Sequence, residues 1–132
     1  MSLSIPLLLA AIALCENQPQ TSTGPHGERS QFGLTKKVWV QHMHGIPFVM
    51  ATESSTAAGQ CATLHIKWIR DNLAKCDRWP LSDHAEYSPY LIAVAYNGGW
   101  SALSRGKSPE SALDYGSRVS CLYFELQQRE HK

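Results

Sequence analysis

The stretch that most limits what this chain can fold into is Ser88-Pro89-Tyr90-Leu91-Ile92-Ala93-Val94-Ala95-Tyr96-Asn97-Gly98-Gly99. Ser88 suits a helix cap and Pro89 a first helical position, where its missing N–H costs nothing. No charged residue lies between Tyr90 and Tyr96, so a helix here must be buried on nearly every face. Asn97-Gly98-Gly99 then stops it, because glycine enters the left-handed conformation that closes a helix. A helix without a polar face cannot lie on a surface, so the remaining elements have to wrap around it.

At 132 residues the chain is read as one domain, 1–132, with one core. Met1-Ser2-Leu3 can be a cloning addition. A formal net charge of +1 and the lack of any like-charge block argue against a nucleic-acid partner. Ile5 to Cys15 is almost wholly apolar, but no Lys or Arg precedes it and Ala-Leu-Cys is a poor cleavage context. It is also too short to span a bilayer, so it reads as a buried first helix. The four cysteines, Cys15, Cys61, Cys76 and Cys121, form no Cys-x-x-Cys pair, which argues against structural zinc. They allow two disulfides in any of three connectivities, or four free thiols, and the compartment stays open.

In chain order, Ile5–Glu16 is the first helix, with Ser4 as cap and a polar breaker stretch from Gln18 to Arg29 behind it. Glu16 therefore ends an apolar helix, where the negative end of the dipole and partial desolvation both disfavour a carboxylate. An acid that keeps its proton near neutrality suits general acid catalysis; a solvated glutamate past a helix end would do nothing. Gln41-His42-Met43-His44 would put two imidazoles on one face if extended, but no third ligand is apparent and no metal is expected. Gly45 to Thr56 reads as loop, with Glu53 as a possible second acid. Ala57–Lys75 is an amphipathic helix with Cys61, Leu64, His65, Trp68, Ile69, Asn72 and Leu73 inward, His65 as a hydrogen-bonded core residue. Cys76 to Asp83 turns the chain through Trp79-Pro80. A helix over 89–97 and a last one over 109–128 follow, the latter with Ala112, Tyr115, Val119, Leu122, Tyr123 and Leu126 on one stripe.

Three segments in this order carry a resemblance. Ala95-Tyr96-Asn97-Gly98-Gly99 resembles the Ala-Tyr-Asn-x-Gly motif of lysozyme-like lytic transglycosylases. Gly27 to Trp39 resembles that family's glycine-rich turn leading through a Gln-Ile-Thr-like segment to a tryptophan, with Gly33 where the family has glutamine. Asp114-Tyr115-Gly116-Ser117-Arg118-Val119 is similar to its closing helix. The resemblance spans most of Ile5 to Leu126. It implies a mainly α, lysozyme-like helical domain with at most a small β-hairpin near Arg29–Thr35.

The function so implied is cleavage of the β-1,4 bond between N-acetylmuramic acid and N-acetylglucosamine in peptidoglycan glycan strands. Glu16 would be the single catalytic acid, oriented by the Tyr96 hydroxyl, since the substrate's own acetamido group can stand in for a second carboxylate. Gln31, Phe32, Thr35, Asn97, Gly98 and Tyr115 would contact the glycan. If a second carboxylate operates, Glu28 or Glu53 is the candidate, and water replaces the muramic 6-hydroxyl as nucleophile. No cofactor is implied, and the location would be the cell envelope or outside the cell. The competing expectation is a catalytically inactive lysozyme-like module that binds glycan or protein, which Gly33 favours. A small helical interaction domain without sugar chemistry is the third.

Overall fold

The computed structural model describes residues 3–76 and 88–130. They form seven helices: α1 (Ile5–Glu16), α2 (Lys36–His42), α3 (Met50–Glu53), α4 (Ser55–Ala74), α5 (Ser88–Gly98), α6 (Trp100–Ser104) and α7 (Glu110–Glu130). The expected turn through Trp79-Pro80 lies outside the described residues. Among the described residues there is no sheet, only bridges joining Arg29 to Thr23 and to Leu34. The chain is thus mainly α, and the expected hairpin is one reciprocal pair, Arg29 and Leu34, closing a four-residue loop.

Helix α5 is the centre. Leu91, Ile92, Ala93, Val94 and Ala95 are all buried, and the helix packs against α4, α6 and α7. Its contact with α7 is close because Gly116 has no side chain there: a Cβ at that position would come within 2.4 Å of Val94 Cγ2. Truncating a fully enclosed member such as Ile92 to Ala would cost about 2–5 kcal/mol in lost transfer energy and residual cavity. Gly99, at φ 95, ends α5 in a conformation that a side chain would resist.

The first helix begins where Ser4 accepts a hydrogen bond from the Leu7 N–H, and ends where Asn17 turns left-handed at φ 51. Asparagine tolerates that conformation better than most residues, which fixes Glu16 as the last helical position. Leu8, Ala11 and Ile12 lie in the core, so the apolar run is a buried helix. Helix α1 packs along α7, and the Ser4 N–H donates to the Tyr123 hydroxyl at 2.9 Å.

Helix α4 starts two residues before the expected position, capped by Ser54, and its buried stripe is Ala58, Cys61, Ala62, His65, Ile66, Ile69 and Leu73. Leu64 is 43% exposed, a correction to the expected inward face. Ala58 and Ala62 are the fully buried positions on that part of α4, and Leu64 lies off their face. Two further corrections concern residues 36–53. His42 ends a helix and His44 follows it, so the two imidazoles do not share a strand face. The supposed loop includes α3, and Trp39 Nε1 donates to the Ile46 carbonyl at 2.7 Å, tying α2 to the turn before α3. All four cysteines are free thiols.

Candidate active site

The site is built on the end of α1, the loop Ser30–Gly33 and two tyrosines from α5 and α7. The loop is held by reciprocal Arg29–Leu34 hydrogen bonds, each 2.7 Å, and by Gly33 N–H donating to the Ser30 carbonyl at 3.2 Å. Ser30 and Gly33 both have positive φ, 71 and 59, which is what bends four residues so tightly. The bend brings Gly33 against Glu16. A Cβ on Gly33 would stand 2.9 Å from Glu16 Oε1 and 3.1 Å from Cδ. Glycine at 33 therefore does more than remove a groove-lining side chain: it makes room for the carboxyl group.

The Glu16 carboxyl is held by Tyr115, whose hydroxyl donates to Oε2 at 2.6 Å. This is a correction in two respects. The resemblance implies that Tyr96 holds Glu16 and that Tyr115 touches glycan. Instead Tyr115 is a buried residue of α7, facing α1 at the level of Glu16. The Tyr96 hydroxyl donates to the Phe32 carbonyl at 2.6 Å, so it pins the loop that packs on the acid. The reason is one of reach: Tyr115 lies on the helix that packs along α1, whereas Tyr96 meets the Ser30–Gly33 loop first. Phe32 is also corrected, because its ring is in the core and only its carbonyl serves the site.

The electrostatics follow from this packing. Burial raises the Glu16 pKa above the ordinary carboxyl value; the Tyr115 hydrogen bond opposes that, the Glu28 charge adds to it and Arg118 opposes it. The direction is the one expected at the end of an apolar helix. Burial raises the Tyr115 phenol too, helped by the adjacent Glu16, so Tyr115 stays a proton donor in its hydrogen bond. Tyr96 is raised by burial and then by Glu16, which puts its buried hydroxyl in the same electrostatic neighbourhood. Glu53 ends α3, exposed, and bears on none of these groups, whereas Glu28 does.

Beside this cluster runs a groove of about 430 Å³ between α2, α4 and the α5–α6 junction. Thr35, Asn97 and Gly98 line it, together with Gln41, His65, Trp68, Tyr96, Trp100 and Ser101. Thr35 also caps α2, its hydroxyl accepting from the Val38 N–H at 3.2 Å. Gln31 is half-buried in the loop and does not line the groove, nor does Glu16. The groove is therefore rich in aromatic faces and amide or hydroxyl groups, with Lys37 its one charged lining residue among the described residues. Sugar rings are recognised in this way, through apolar faces on aromatic rings and hydroxyls on short polar side chains.

Sequence reasoning missed the imidazole and indole part of this wall. His42 Nε2 and His65 Nδ1 are 2.9 Å apart, and the His65 ring lies parallel to Trp68, 5.7 Å between centroids and 9° between planes. The i, i+3 spacing of His65 and Trp68 on one helix was a legible signal; the partner from α2 was not. Among the described residues, no group of three or more His, Cys, Asp or Glu side chains could hold a metal ion, and no helix is long and apolar enough to cross a membrane. No protein-family model matches the chain, and neither a curated protein nor a solved structure matches it.

Proposed function

We propose that this chain is a lysozyme-like glycosidase that cleaves peptidoglycan glycan strands between N-acetylmuramic acid and N-acetylglucosamine, with Glu16 as its acid. The observation that carries the reading is the Glu16 carboxyl: desolvated, raised in pKa, and clamped on one oxygen by Tyr115 at 2.6 Å. Oε2 is engaged by the phenol, so Oε1, against Gly33, is the oxygen that carries the acid proton. The sequence resemblance at Ala95–Gly99 and Asp114–Val119 and the sugar-like character of the adjacent groove support the same reading.

The chemistry runs through one carboxyl group. Protonated Glu16 gives its proton to the glycosidic oxygen as the bond to the muramic C1 breaks. The developing positive charge at C1 is met by the carbonyl oxygen of the substrate's own acetamido group, so no protein nucleophile is needed. The Glu16 carboxylate then takes the proton of the muramic 6-hydroxyl as that oxygen attacks C1, giving a 1,6-anhydro sugar. If water attacks instead, Glu28 is the better placed second carboxylate, because its charge bears on Glu16. Incubation with purified peptidoglycan and mass analysis of the soluble products tests the proposal: anhydromuramyl ends or reducing ends support it, and intact glycan refutes it.

A second reading, a glycan-binding module without cleavage, is favoured by one observation. Glu16 does not line the groove that Asn97, Trp68 and Trp100 do. Saturable glycan binding by a protein that leaves peptidoglycan intact would select it. Either reading leads to a cell-envelope or extracellular setting, where the substrate is.

A further inference from the structure

The wall of the groove formed by Trp68 has an unusual backing. The indole stacks on His65, which is buried at 8% exposure and parallel to it, and His42 from α2 completes a triangle of rings with both. The His42 and Trp68 rings also meet edge to face, 6.5 Å between centroids at 69°. The Tyr96 ring also packs against His65, tilted by 56° with 5.7 Å between centroids. Trp68 is thus set by contacts to two imidazoles, and each imidazole has the other as its hydrogen-bond partner.

That arrangement depends on protonation. Two neutral imidazoles share one proton between Nε2 of His42 and Nδ1 of His65, one donating and the other accepting. A first added proton puts a cation into a buried aromatic site; a second places two donors nose to nose and breaks the bond. The groups that face the pair among the described residues offer no relief. His44 follows α2 and Lys37 stands on the groove, both of the wrong sign. The Tyr96 phenol from α5 is raised in pKa and so stays neutral, as does the Cys61 thiol one turn earlier on α4. Among the described residues, no carboxylate lines the groove. Burial accordingly lowers both histidines, His65 to about 4, with His44 adding to the effect on His42 and His42 to that on His65.

We propose that the His42–His65 pair is a positioning element: while neutral it fixes the Trp68 ring as a stacking wall for a sugar, and on acidification it releases that wall. The inference rests on reading the groove as glycan-binding. It makes glycan affinity depend on pH through residues that take no part in the proton transfer at Glu16. An indole no longer backed by a fixed partner must be ordered by the ligand itself, so apparent affinity falls with the fraction of protein that keeps the pair intact.

The test uses triacetylchitotriose, the β-1,4-linked trimer of N-acetylglucosamine, as probe. It is done in the Glu16→Gln protein, so that neither cleavage nor the Glu16 carboxyl contributes to the pH dependence. Affinity is measured from Trp fluorescence or indole NMR shifts between pH 7 and pH 3, with circular dichroism confirming the fold at each pH. The expected result is a loss of about fivefold or more, with the Trp68 indole resonance moving along the same curve as the His42 and His65 ring resonances. Adding His42→Gln, which offers a non-titrating nitrogen and oxygen at the place of Nε2, should reduce the pH dependence, taken relative to that variant's own pH 7 affinity, to about twofold or less. Affinity and a Trp68 indole signal that stay constant through the imidazole titration would overturn the proposal. Failure of the parent to bind the trimer at pH 7 counts against the sugar reading of the groove instead. In that case the Trp68 signal must still follow the imidazoles, and a signal that does not refutes the pair's role independently.

Discussion

Tyr115→Phe is the substitution that separates the observed site from the one the sequence suggests. The phenol donates a 2.6 Å hydrogen bond to Glu16 Oε2 from a buried position, and a bond to a charged acceptor contributes about 1.5–3 kcal/mol. That bond favours the carboxylate over the acid form, so losing it moves the equilibrium roughly 10- to 100-fold toward the protonated acid. Glu16 must be protonated to act, and the rate falls as pH rises through its pKa. In Tyr115→Phe that alkaline limb should therefore move to higher pH. The freed carboxyl also loses its fixed orientation, so the maximal rate should fall by roughly ten- to hundredfold. Turbidity loss of purified peptidoglycan from pH 4 to pH 9 reads both effects, and a ¹³C titration of the Glu16 side chain reads the first without needing activity. Tyr96→Phe is the control: it leaves the Phe32 carbonyl without its donor, at a cost of about 1–3 kcal/mol, and should leave the limb near its parent position. A limb unmoved in Tyr115→Phe and displaced in Tyr96→Phe would refute the assignment of the two tyrosines.

Two further substitutions probe the packing that makes the site. Gly33→Ala places a Cβ 2.9 Å from Glu16 Oε1 on a residue with φ 59, so activity should fall at least tenfold and stability by about 1–3 kcal/mol, read by peptidoglycan clearance and urea unfolding. Gly116→Ala meets Val94 Cγ2 at 2.4 Å and must push α5 and α7 apart; a loss of about 1–3 kcal/mol is expected by the same unfolding measurement, and an unchanged midpoint would show that the helices are not so closely packed.

The fold was legible where one sequence signal had one physical solution. The uncharged run from Tyr90 to Tyr96 could only be a buried helix, and Ser4 with the breaker stretch from Gln18 marked both ends of α1. Helix α2 was less so, because Lys36-Lys37-Val38-Trp39-Val40 is too short for a helical period to show; its start is set by the Thr35 cap and its place by Trp39 bonding Ile46. At the site, position along the chain offered a desolvated Glu16 at the end of an apolar helix or a solvated one just past it, and only the packing of Gly33 and Tyr115 against the carboxyl decides between them. Which tyrosine would reach it was not local. It depends on α7 lying along α1 at the right level, 99 residues away in sequence, and two tyrosines of equal chemistry were available. The His42–His65 contact was hidden for the same reason, each half being an ordinary histidine until two helices meet.

The most direct test of the central claim is product release from purified peptidoglycan by the parent and by Glu16→Gln, compared by mass spectrometry at matched concentration. The amide keeps the size of the side chain and can still accept from Tyr115, but it cannot deliver or recover a proton. Because burial raises the Glu16 pKa, the carboxyl contributes stability that is full below its unfolded value and is lost as pH rises through the folded one. The amide variant should therefore be at least as stable as the parent at neutral pH. The account predicts anhydromuramyl or reducing-end fragments from the parent and a loss of about two to four orders of magnitude in Glu16→Gln. Equal release by both proteins would contradict it and place the acid elsewhere; no release by a well-folded parent that still binds glycan would leave a binding module.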